Sequence, residues 1–502
     1  MGQHTSTTLA TWDFALELDR RRGTSLSRQI ARALSADIQR GRLRPGDRLP
    51  GSRTLATTLR VHRQTVVAAL DDLVAEGWLV SKEASGTFVA DGLPDAPFDR
   101  RRHAGRSRRT VSSRFALELA GAPAPELPRT GGARALFMSG ARPDVRLVPA
   151  DLIGRSYRRA VRAGGRELLS YNDPAGLPRL RRGLADMLSA TRGLAVDAAS
   201  IMVTRGSQMA LALVARALIR SGDAIAVEHP GYRPAWEAFK LAGAEVLPVD
   251  VDEQGLKVHA LARLVSRRPI RAVYVTPHHQ FPTTVTLSAP RRLELLRLAA
   301  RERFAVIEDD YDHEFHYTGR PVLPLASLDR AGIVVYVGTL SKVLAPGLRL
   351  GFVAAPTDLI EQLIAYRSFA DLQGDHVLES AIAQLLDEGL IQRHVRKTRR
   401  VYRSRLDALA TALRQHMGDF LSFDEPSGGT AIWVRTRSAR TTAQWTRAAR
   451  DRGVLFDAGP AFTLEGAPSS GARLGFACLT EDELSRAVRG LAAAADAVRR
   501  GR

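Results

Sequence analysis

Apolar residues near the start of the chain recur every three or four positions, which is the spacing of a helix that packs one face against a core. The first such face consists of Leu26, Ile30, Leu34 and Ile38. Gly41 ends this helix, a second helix is predicted from 53 to about 59, and a third from 63 to about 76. The residues predicted to face inward on the third helix are Val66, Val67, Leu70, Leu73 and Val74.

Two short strands, 78–81 and 87–90, are predicted on either side of a turn at 83–86. Ser52 offers a hydroxyl that can cap the second helix. Three helices followed by a hairpin make a winged helix-turn-helix. In such a domain the third helix can enter the major groove of DNA while the hairpin reaches the minor groove or the backbone.

From 136 onward, strand-like apolar runs alternate with helical segments, which predicts an α/β sheet. The strands predicted for the last part of it are 432–434, 454–456 and 473–476. Before 136, proline, glycine, alanine and arginine dominate and the periodicity is lost. We therefore predict a DNA-binding domain at 24–91, a linker at 92–134 and a large domain at 135–500. The stretch 100–114 holds seven arginines and no acid, which favours a solvated tether, a contact with DNA phosphates, or both.

The overall composition is that of an ordinary globular protein, with 502 residues, 45% hydrophobic and 25% charged. No run of about 18 apolar residues occurs, and the first residues lack a basic-then-apolar signal, so we expect a cytoplasmic protein with no membrane partner, associated with the nucleoid. Cys478 is the single cysteine, which excludes an internal disulfide and a multi-cysteine metal site. A formal net charge of +20 is compatible with a polyanionic partner.

Candidate chemistry concentrates at 337–351, where Lys342 follows an apolar run. Thr339, Ser341 and Arg349 surround it in sequence. An amine that can condense with an aldehyde, next to hydroxyl and guanidinium donors for a phosphate, is the set of groups that pyridoxal 5'-phosphate (PLP) requires. Taken alone, a Ser-Lys pair is also compatible with a surface lysine after a buried strand.

Acidic residues follow another predicted strand, 305–312. Asp309 at its end can pair with a protonated pyridine nitrogen, although acids in this position, taken alone, are more often metal ligands or part of a solvated loop. Adjacent histidines, His278 and His279, suggest a metal site. Because no carboxylate follows them at ligand spacing, we expect no metal.

The segment from Gln29 to Val89 resembles a GntR-type DNA-binding domain over nearly its whole length. The resemblance implies that double-stranded operator DNA is a partner. The residues expected to contact it are Ser52, Arg53, Arg63, Gln64, Thr65, Lys82 and Gly86. Gly51, His62 and Gln64 depart from the residues usual in the family, and they are expected to alter operator preference or a phosphate contact without changing the fold.

The stretch 337–351 resembles the cofactor-lysine segment of fold-type I aminotransferases. The resemblance implies PLP as cofactor, bound to Lys342 as an internal aldimine, with Asp309 on the pyridine nitrogen. Tyr311 would donate to the phenolic oxygen, and Tyr232 would stack on the ring. The residues it implies for the phosphate end are Gly206, Ser207, Gln208, Thr339, Ser341, Arg349 and, from the neighbouring subunit, Tyr171.

The same resemblance implies that Arg473 binds an effector carboxylate through a bidentate fork. Phe281 stands about where many aminotransferases have an asparagine, and Thr284 replaces a glycine of the His-Gln-Phe-Pro-Thr-Gly subgroup. The stretch 427–430 also departs from the usual pattern. These differences leave the shape of the effector pocket open.

A GntR-type reader followed by an aminotransferase-like domain is the layout of the MocR subfamily of transcription regulators, which this chain resembles. The resemblance implies a domain-swapped homodimer, repeated operator sites, and a small-molecule effector that is either PLP or an amino compound. One alternative is an active aminotransferase with a DNA-binding appendage. A DNA-binding scaffold without cofactor is a third class, which Lys342 and Asp309 together disfavour.

Overall fold

The computed structural model describes Leu18 and residues 24–82, 85–92, 135–138, 142–319 and 322–500. Positions 83–84 of the predicted wing turn and 93–134 of the predicted linker lie outside the described residues. The chain divides into two compact units, Met1–Ala120 and Gly121–Arg502. Among the described helices, none combines the length and the apolar character that a membrane crossing requires.

The first unit is the predicted arrangement of three helices and a hairpin. Its elements are α1 (Leu26–Gln39), α2 (Ser52–Leu59), α3 (Arg63–Ala75), β1 (Leu79–Lys82) and β2 (Gly86–Val89). Ile30, Leu34 and Ile38 of α1 are buried together with Val66, Leu70 and Leu73 of α3, as the spacing predicted. Leu26 and Val67, which were also predicted to face inward, are half-buried. Both strands lie one residue from their predicted bounds, and they pair antiparallel.

Two predictions for this unit are wrong. Val74 is 37% exposed, because α3 buries a narrow stripe that Ala69 completes instead. Ser52 does not cap α2: it is the first helical residue, and Gly51 occupies the cap without a side-chain hydrogen bond. The Ser52 hydroxyl accepts from Nε of Arg63 at 3.3 Å, so it links the starts of α2 and α3.

The second unit is α/β. Its strands are β3 (Leu136–Phe137), β4 (Ile201–Thr204), β5 (Ala224–His229), β6 (Glu245–Asp252), β7 (Gly255–Leu256), β8 (Ala272–Val275), β9 (Ala305–Asp310), β10 (Val334–Thr339), β11 (Gly351–Ala354), β12 (Leu421–Phe423), β13 (Ala431–Thr436), β14 (Val454–Leu455), β15 (Asp457–Ala458) and β16 (Gly471–Gly475). Its helices are α4 (Ala150–Leu168), α5 (Pro178–Arg192), α6 (Ser207–Leu218), α7 (Arg233–Leu241), α8 (Val258–Val265), α9 (Ala289–Glu302), α10 (Leu325–Leu328), α11 (Thr357–Ala370), α12 (His376–Asp387), α13 (Leu390–Met417), α14 (Ala439–Arg450) and α15 (Glu481–Arg500).

An eight-stranded sheet dominates this unit, in the order β4-β11-β10-β9-β8-β5-β6-β7. Strands β10, β9, β8, β5 and β6 are parallel neighbours, while β11 runs antiparallel to both β10 and β4. Side chains alternate between two faces: Ile225 and Val227 pack with α6 and α7, whereas Ala226 packs with α8 and α9. Helices therefore cover both faces, which explains the nearly continuous apolar runs of these strands.

A second, antiparallel sheet has the order β12-β13-β16-β15 and packs with α13, α14 and α15. The predicted strands at 432–434 and 473–476 belong to this sheet. The predicted strand at 454–456 does not, because β14 pairs in parallel with β3 in a separate two-stranded sheet. The carboxyl ends of β4, β5, β8, β9 and β10 meet at one edge of the large sheet, where an open α/β sheet usually binds its ligand.

Candidate functional site

One end of the site is the turn from β4 into α6. Gly206 caps α6 with a φ of 80°, and Ser207 is the first helical residue. The Arg349 guanidinium lies against this turn, since its Nη2 donates to the carbonyl of Arg205 at 2.9 Å. A Cβ on Gly206 would lie only 2.8 Å from that nitrogen, and one on Gly351 would lie 2.7 Å from the Gly206 carbonyl carbon. Helix amides and a guanidinium packed this closely suit a phosphate.

Of the two hydroxyl groups just before Lys342, that of Thr339 is hydrogen-bonded within the protein and that of Ser341 is not. Thr339 Oγ1 donates to the carbonyl of Leu350 at 3.3 Å and accepts from the Ser341 amide at 3.1 Å. The Ser341 hydroxyl is buried and has no hydrogen-bond partner among the described residues. The side-chain amide of Gln208 is hydrogen-bonded away from this turn, because its Nε2 donates to the carbonyl of Pro234 at 2.8 Å. Ser341 is therefore the available donor, and Thr339 holds the turn.

At the end of β9, one carboxylate oxygen of Asp309 accepts a hydrogen bond from the protein and the other does not. Its Oδ2 accepts from the Tyr274 hydroxyl at 2.8 Å. Its Oδ1 is buried without a hydrogen-bond partner among the described residues. Burial raises the pKa of Asp309 to about 7, against the opposing effects of the Tyr274 hydrogen bond and the Lys342 charge. An acceptor of this kind fits a ring N–H.

Lys342 lies among four charged side chains. Desolvation lowers the pKa of its amine to about 8; Asp312 and Asp309 act to raise that pKa, and Arg473 and Arg349 act to lower it. The neutral amine, which is the form that attacks a carbonyl, is thus far more abundant near neutral pH than for a solvated lysine. Asp309 and Arg349, both predicted for this site, therefore lie close enough to Lys342 to act on its charge.

Aromatic residues line the neighbouring loops. The Tyr311 hydroxyl donates to the carbonyl of His279 at 2.9 Å. Tyr232 meets Phe281 edge to face, with ring centroids 5.2 Å apart. Burial raises the pKa of Tyr232 to about 12, so both tyrosines are neutral hydroxyl donors. Thr284, which replaces the subgroup's glycine, adopts a φ of 65°, so the loop keeps the left-handed conformation that glycine favours.

Arg473 reaches this region from the second sheet. It is fully buried, its Nη1 donates to the carbonyl of Pro282 at 3.0 Å, and its guanidinium lies 4.7 Å from the centre of the Phe281 ring. Its Nε and Nη2 have no hydrogen-bond partner among the described residues. A buried guanidinium with two unused donors suits a carboxylate ligand.

Tyr171 is not brought to this site within one chain. It is 83% exposed, in a segment anchored by a 2.6 Å hydrogen bond from the Asn172 amide to Oε1 of Gln373. Its position is compatible with the predicted reach into a neighbouring subunit.

Several supporting residues were missed by the sequence analysis. Tyr274 positions Asp309, and Glu228 accepts from both the amide and the hydroxyl of Thr276, at 2.9 and 2.6 Å. Tyr274 and Glu228 each lie inside an apolar strand, and their partners are 35 and 48 residues away in sequence. The alternation of strand residues does not indicate such partners.

A cluster of histidines lies next to the site. His278 and His279 follow β8, and His313 and His316 follow β9. The ring centroids of His278 and His279 are 4.5 Å apart, as are those of His278 and His313. Burial lowers the pKa of His278 to about 2, so its ring is neutral.

In the first unit, the residues predicted to contact DNA lie at helix starts and on the hairpin. Arg53, Arg63 and Gln64 are exposed near the N-termini of α2 and α3, while Thr65 is half-buried. His62 takes over the capping role of the serine usual there, because its Nδ1 accepts from the Gln64 amide at 3.3 Å.

On the hairpin, Lys82 lies 5.3 Å from the centre of the Phe88 ring. Gly86 has a φ of 110°, and a Cβ there would lie 3.1 Å from Nε of Arg48. Arg48, which the sequence analysis did not single out, is thus a further basic residue at the wing.

The unpartnered atoms provide a test of whether PLP fits. The cofactor presents a ring nitrogen, an aldehyde and a phosphate, and the site offers a buried free acceptor on Asp309, a desolvated amine on Lys342, and a free hydroxyl on Ser341 near a helix start with Arg349. The donor set therefore fits the cofactor.

Comparison with known proteins identifies both parts of the chain. The family described as "Aminotransferase class I and II" matches residues 151–491, and "Bacterial regulatory proteins, gntR family" matches residues 26–89. The probable rhizopine catabolism regulatory protein MocR of Rhizobium meliloti is 33% identical over 480 residues, covering 95% of each chain. The pyridoxine biosynthesis transcriptional regulator PdxR of Corynebacterium glutamicum is 31% identical, covering 89% of this chain and 95% of its own length.

Solved structures match the second unit. The α-aminoadipate aminotransferase LysN of Thermus thermophilus, complexed with N-(5'-phosphopyridoxyl)-L-leucine, has a TM-score of 0.69 at 28% identity, over 73% of this chain and 94% of its own. The kynurenine aminotransferase of Pyrococcus horikoshii, in complex with PMP, also has a TM-score of 0.69, at 29% identity, over 73% of this chain and 92% of its own. Since the reader and the aminotransferase-like part occur together in relatives that match nearly the whole length, this chain belongs to the MocR-type GntR regulators, in which a winged helix-turn-helix is joined to a fold-type I aminotransferase-like domain.

Proposed function

We propose that this regulator binds PLP on Lys342 and that its DNA reader responds to the occupant of the pocket, which is PLP itself or an amino compound bound beside it. The observation that carries the proposal is the pairing of a desolvated amine, Lys342, with a buried carboxylate, Asp309, whose second oxygen has no partner among the described residues. Both lie at the edge where the parallel strands end, which is where ligands of such sheets bind.

When bound, PLP supplies an aldehyde and an electron-withdrawing pyridine ring. Lys342 would hold the aldehyde carbon, and Asp309 would keep a proton on the ring nitrogen. Ser207, Ser341 and Arg349 would bind the phosphate through hydroxyl, amide and guanidinium donors. Tyr232 and Tyr311 would contact the ring as neutral groups, since burial raises the pKa of both hydroxyls.

An effector with both an amino group and a carboxylate suits this pocket best. Two buried donors of Arg473, Nε and Nη2, have no partner among the described residues. Its Nη1 donates to the carbonyl of Pro282, and this bond already fixes the orientation of the guanidinium. A preformed fork loses little entropy when it binds a carboxylate. The amino group of such an effector would approach the aldehyde carbon of PLP, which Lys342 would hold.

The surface of the winged helix-turn-helix unit supports double-stranded DNA as the partner. Arg63 begins α3 and is positioned by Ser52, so a basic side chain and exposed helix amides lie together where phosphates can be bound. A protein that reads an operator acts where the chromosome is, and we therefore place it in the cytoplasm on the nucleoid.

A second copy of the chain is the partner that the surface around Tyr171 fits. Phe369 is 94% exposed and Leu372 is 52% exposed, and Leu169 and Tyr171 are exposed as well. The two segments touch, because Gln373 bonds to the Asn172 amide. Asp371 also pairs with Arg205, at 3.2 Å, which connects this apolar surface with the predicted phosphate end. A homodimer would cover the surface and bring Tyr171 of one chain to that end in the other.

Absorbance and DNA binding test the proposal together. Purified protein with PLP should show the absorbance of a lysine-bound cofactor, and operator affinity should differ between cofactor-free and loaded protein. Lys342→Ala should lose both the absorbance and the PLP effect on DNA. An operator response to PLP that survives in Lys342→Ala would contradict the proposal, and multiple turnovers with amino-acid and keto-acid pairs would favour an enzyme.

A further inference from the structure

Four histidines converge from two loops at the edge of the large sheet, although the two loops are more than 30 positions apart in sequence. His278 and His279 follow β8, and His313 and His316 lie after β9. The nitrogen atoms of His278, His279 and His316 that could serve as ligands all lie within 4.8 Å of one another. The sequence analysis predicted no metal because no carboxylate follows the His278-His279 pair at ligand spacing, but the fold brings a third histidine, His316, to the pair.

Five of the six ring nitrogens of His278, His279 and His316 have no hydrogen-bond partner among the described residues. These are both nitrogens of His278, Nε2 of His279 and both nitrogens of His316, and all five are buried. His278 is 4% exposed and His279 is 1% exposed. Buried polar atoms in folded proteins are nearly always paired, so several unpaired ring nitrogens at one point make a place that is suited to a ligand.

A carboxylate fixes the orientation of one ring. Nδ1 of His279 lies 2.7 Å from Oδ1 of Asp312, so the ring can donate its proton there and direct the lone pair of Nε2 into the cluster. A carboxylate behind a histidine is the usual outer partner of a metal ligand, where it sets the tautomer and raises ligand basicity. His313 lies outside this group of three, stacked on His278 and 3.1 Å from Oδ2 of Asp310.

A glycine borders Nε2 of His279. A Cβ on Gly428 would lie 2.4 Å from this nitrogen, and Gly428 forms an isolated β-bridge with His316. Any larger residue would therefore occupy the space beside the nitrogen. The backbone of the 427–430 stretch, which departs from the family pattern, approaches the cluster closely because it carries no side chain here.

We propose that His278, His279 and His316 bind a divalent transition-metal ion of the zinc class, with Asp312 orienting His279. Imidazole nitrogens suit zinc and its neighbours, and zinc–nitrogen bonds of about 2.0–2.1 Å place tetrahedral ligand atoms about 3.4 Å apart. Nitrogens within 4.8 Å of one another need only modest ring rotations to reach that spacing. Three protein ligands leave one position open for water or for a further donor.

The proposed site is linked to the cofactor site by one hydrogen bond and one electrostatic interaction. Tyr311 donates to the His279 carbonyl at 2.9 Å, and the Asp312 carboxylate that bonds to His279 also raises the pKa of Lys342. An ion on these histidines would therefore act on Tyr311 and on Lys342.

The test uses full-length protein loaded with PLP, freed of unbound PLP and treated with a chelator. Zn²⁺ is titrated by calorimetry, and Co²⁺ is titrated by its visible absorbance, which reports coordination geometry. We expect one ion per chain, with a tetrahedral Co²⁺ spectrum. His316→Gln and His278→Gln should each raise the dissociation constant at least about tenfold. His259→Gln, at an exposed position on α8, should leave it unchanged.

Protein-bound PLP absorbance and thermal unfolding of the metal-free variants show whether each variant is folded. His316 is less buried than His278, so we expect His316→Gln to disturb folding less than His278→Gln. Absence of saturable Zn²⁺ binding would overturn the proposal. The same dissociation constant in the wild type and in a folded His316→Gln variant would also overturn it, because the ion would then be held elsewhere.

Discussion

Replacing Asp309 by asparagine separates the charge of this side chain from its shape. The Tyr274 hydroxyl donates to Oδ2 of Asp309 at 2.8 Å, and an amide oxygen can accept the same bond. What Asp309→Asn removes is the negative charge on the free oxygen, Oδ1. A hydrogen bond to a charged group contributes about 1.5–3 kcal/mol. We therefore expect the dissociation constant for PLP to rise roughly 10- to 150-fold.

The same change should stabilise the cofactor-free protein. The pKa of Asp309 rises from its usual 3.8 to about 7 in the fold, so the folded state holds a proton that the unfolded state releases between these pH values. The stability that this proton contributes is therefore fully present below pH 3.8, decreases as the pH rises and is lost above about 7. The loss amounts to at most about 4 kcal/mol. Asp309→Asn should lack this loss, so its melting temperature should exceed that of the wild type at pH 8.

Two measurements examine this reasoning. PLP is titrated into cofactor-free protein, with protein-bound absorbance as the signal, and thermal unfolding is followed between pH 5 and 8, a range chosen to span roughly the folded pKa. Tyr274→Phe is the matched control: it keeps the carboxylate and its free oxygen Oδ1 and removes only the hydrogen bond to Oδ2, so PLP affinity should fall less than in Asp309→Asn. A folded Asp309→Asn protein that binds PLP within about twofold of the wild type would refute the assignment of Asp309 to the ring nitrogen.

Three further predictions concern the Lys342 amine, the Arg473 guanidinium and the DNA-binding domain. Because desolvation lowers the pKa of Lys342 to about 8, the rate of PLP uptake should rise about tenfold per pH unit below 8 and level off above it; stopped-flow absorbance measures this, and a flat profile would contradict it. Arg473→Lys keeps the charge but loses the fork, so amino-acid effectors should bind about tenfold or more weakly while PLP absorbance is retained; an equal loss of PLP would contradict the assignment. Arg63→Ala should weaken operator binding and lower the slope of log affinity against log salt by about 1 if the side chain contacts a phosphate; unchanged affinity in a gel-shift series over salt would remove Arg63 from the interface.

Local patterns predicted those parts of the fold that depend on neighbouring residues. The stripe of α1 and the strand ends at Asp309 and before Lys342 follow from periodicity, and parallel strands bring such ends to one edge. Val74 lies at the border of its helical stripe, and spacing alone cannot tell which border residue the next element covers. The N-terminus of α2 could not be predicted to the residue either, because a glycine and a serine both precede its apolar positions.

The remaining contacts connect residues that are far apart in sequence. Arg473 and Pro282 are 191 positions apart, and Tyr274 and Asp309 are 35 positions apart. Each pair depends on the order of strands in a sheet or on the packing of one sheet beside another. The histidine cluster belongs to the same class, since neither loop alone carries three ligands. Sequence indicated which groups could do chemistry, and the topology decided which of them meet.

The unpartnered atoms of the pocket also determine how a ligand can act on it. Oδ1 of Asp309, the Ser341 hydroxyl and two donors of Arg473 are buried without partners among the described residues, and each such group costs about 1–3 kcal/mol. A ligand that satisfies them stabilises the state in which they are close together, by an amount set by its concentration relative to its dissociation constant. Arg473 belongs to the second sheet, whereas Asp309 and Ser341 follow strands of the first. An effector that engages all three therefore favours one arrangement of the two sheets, which gives it the differential affinity that a regulatory response requires.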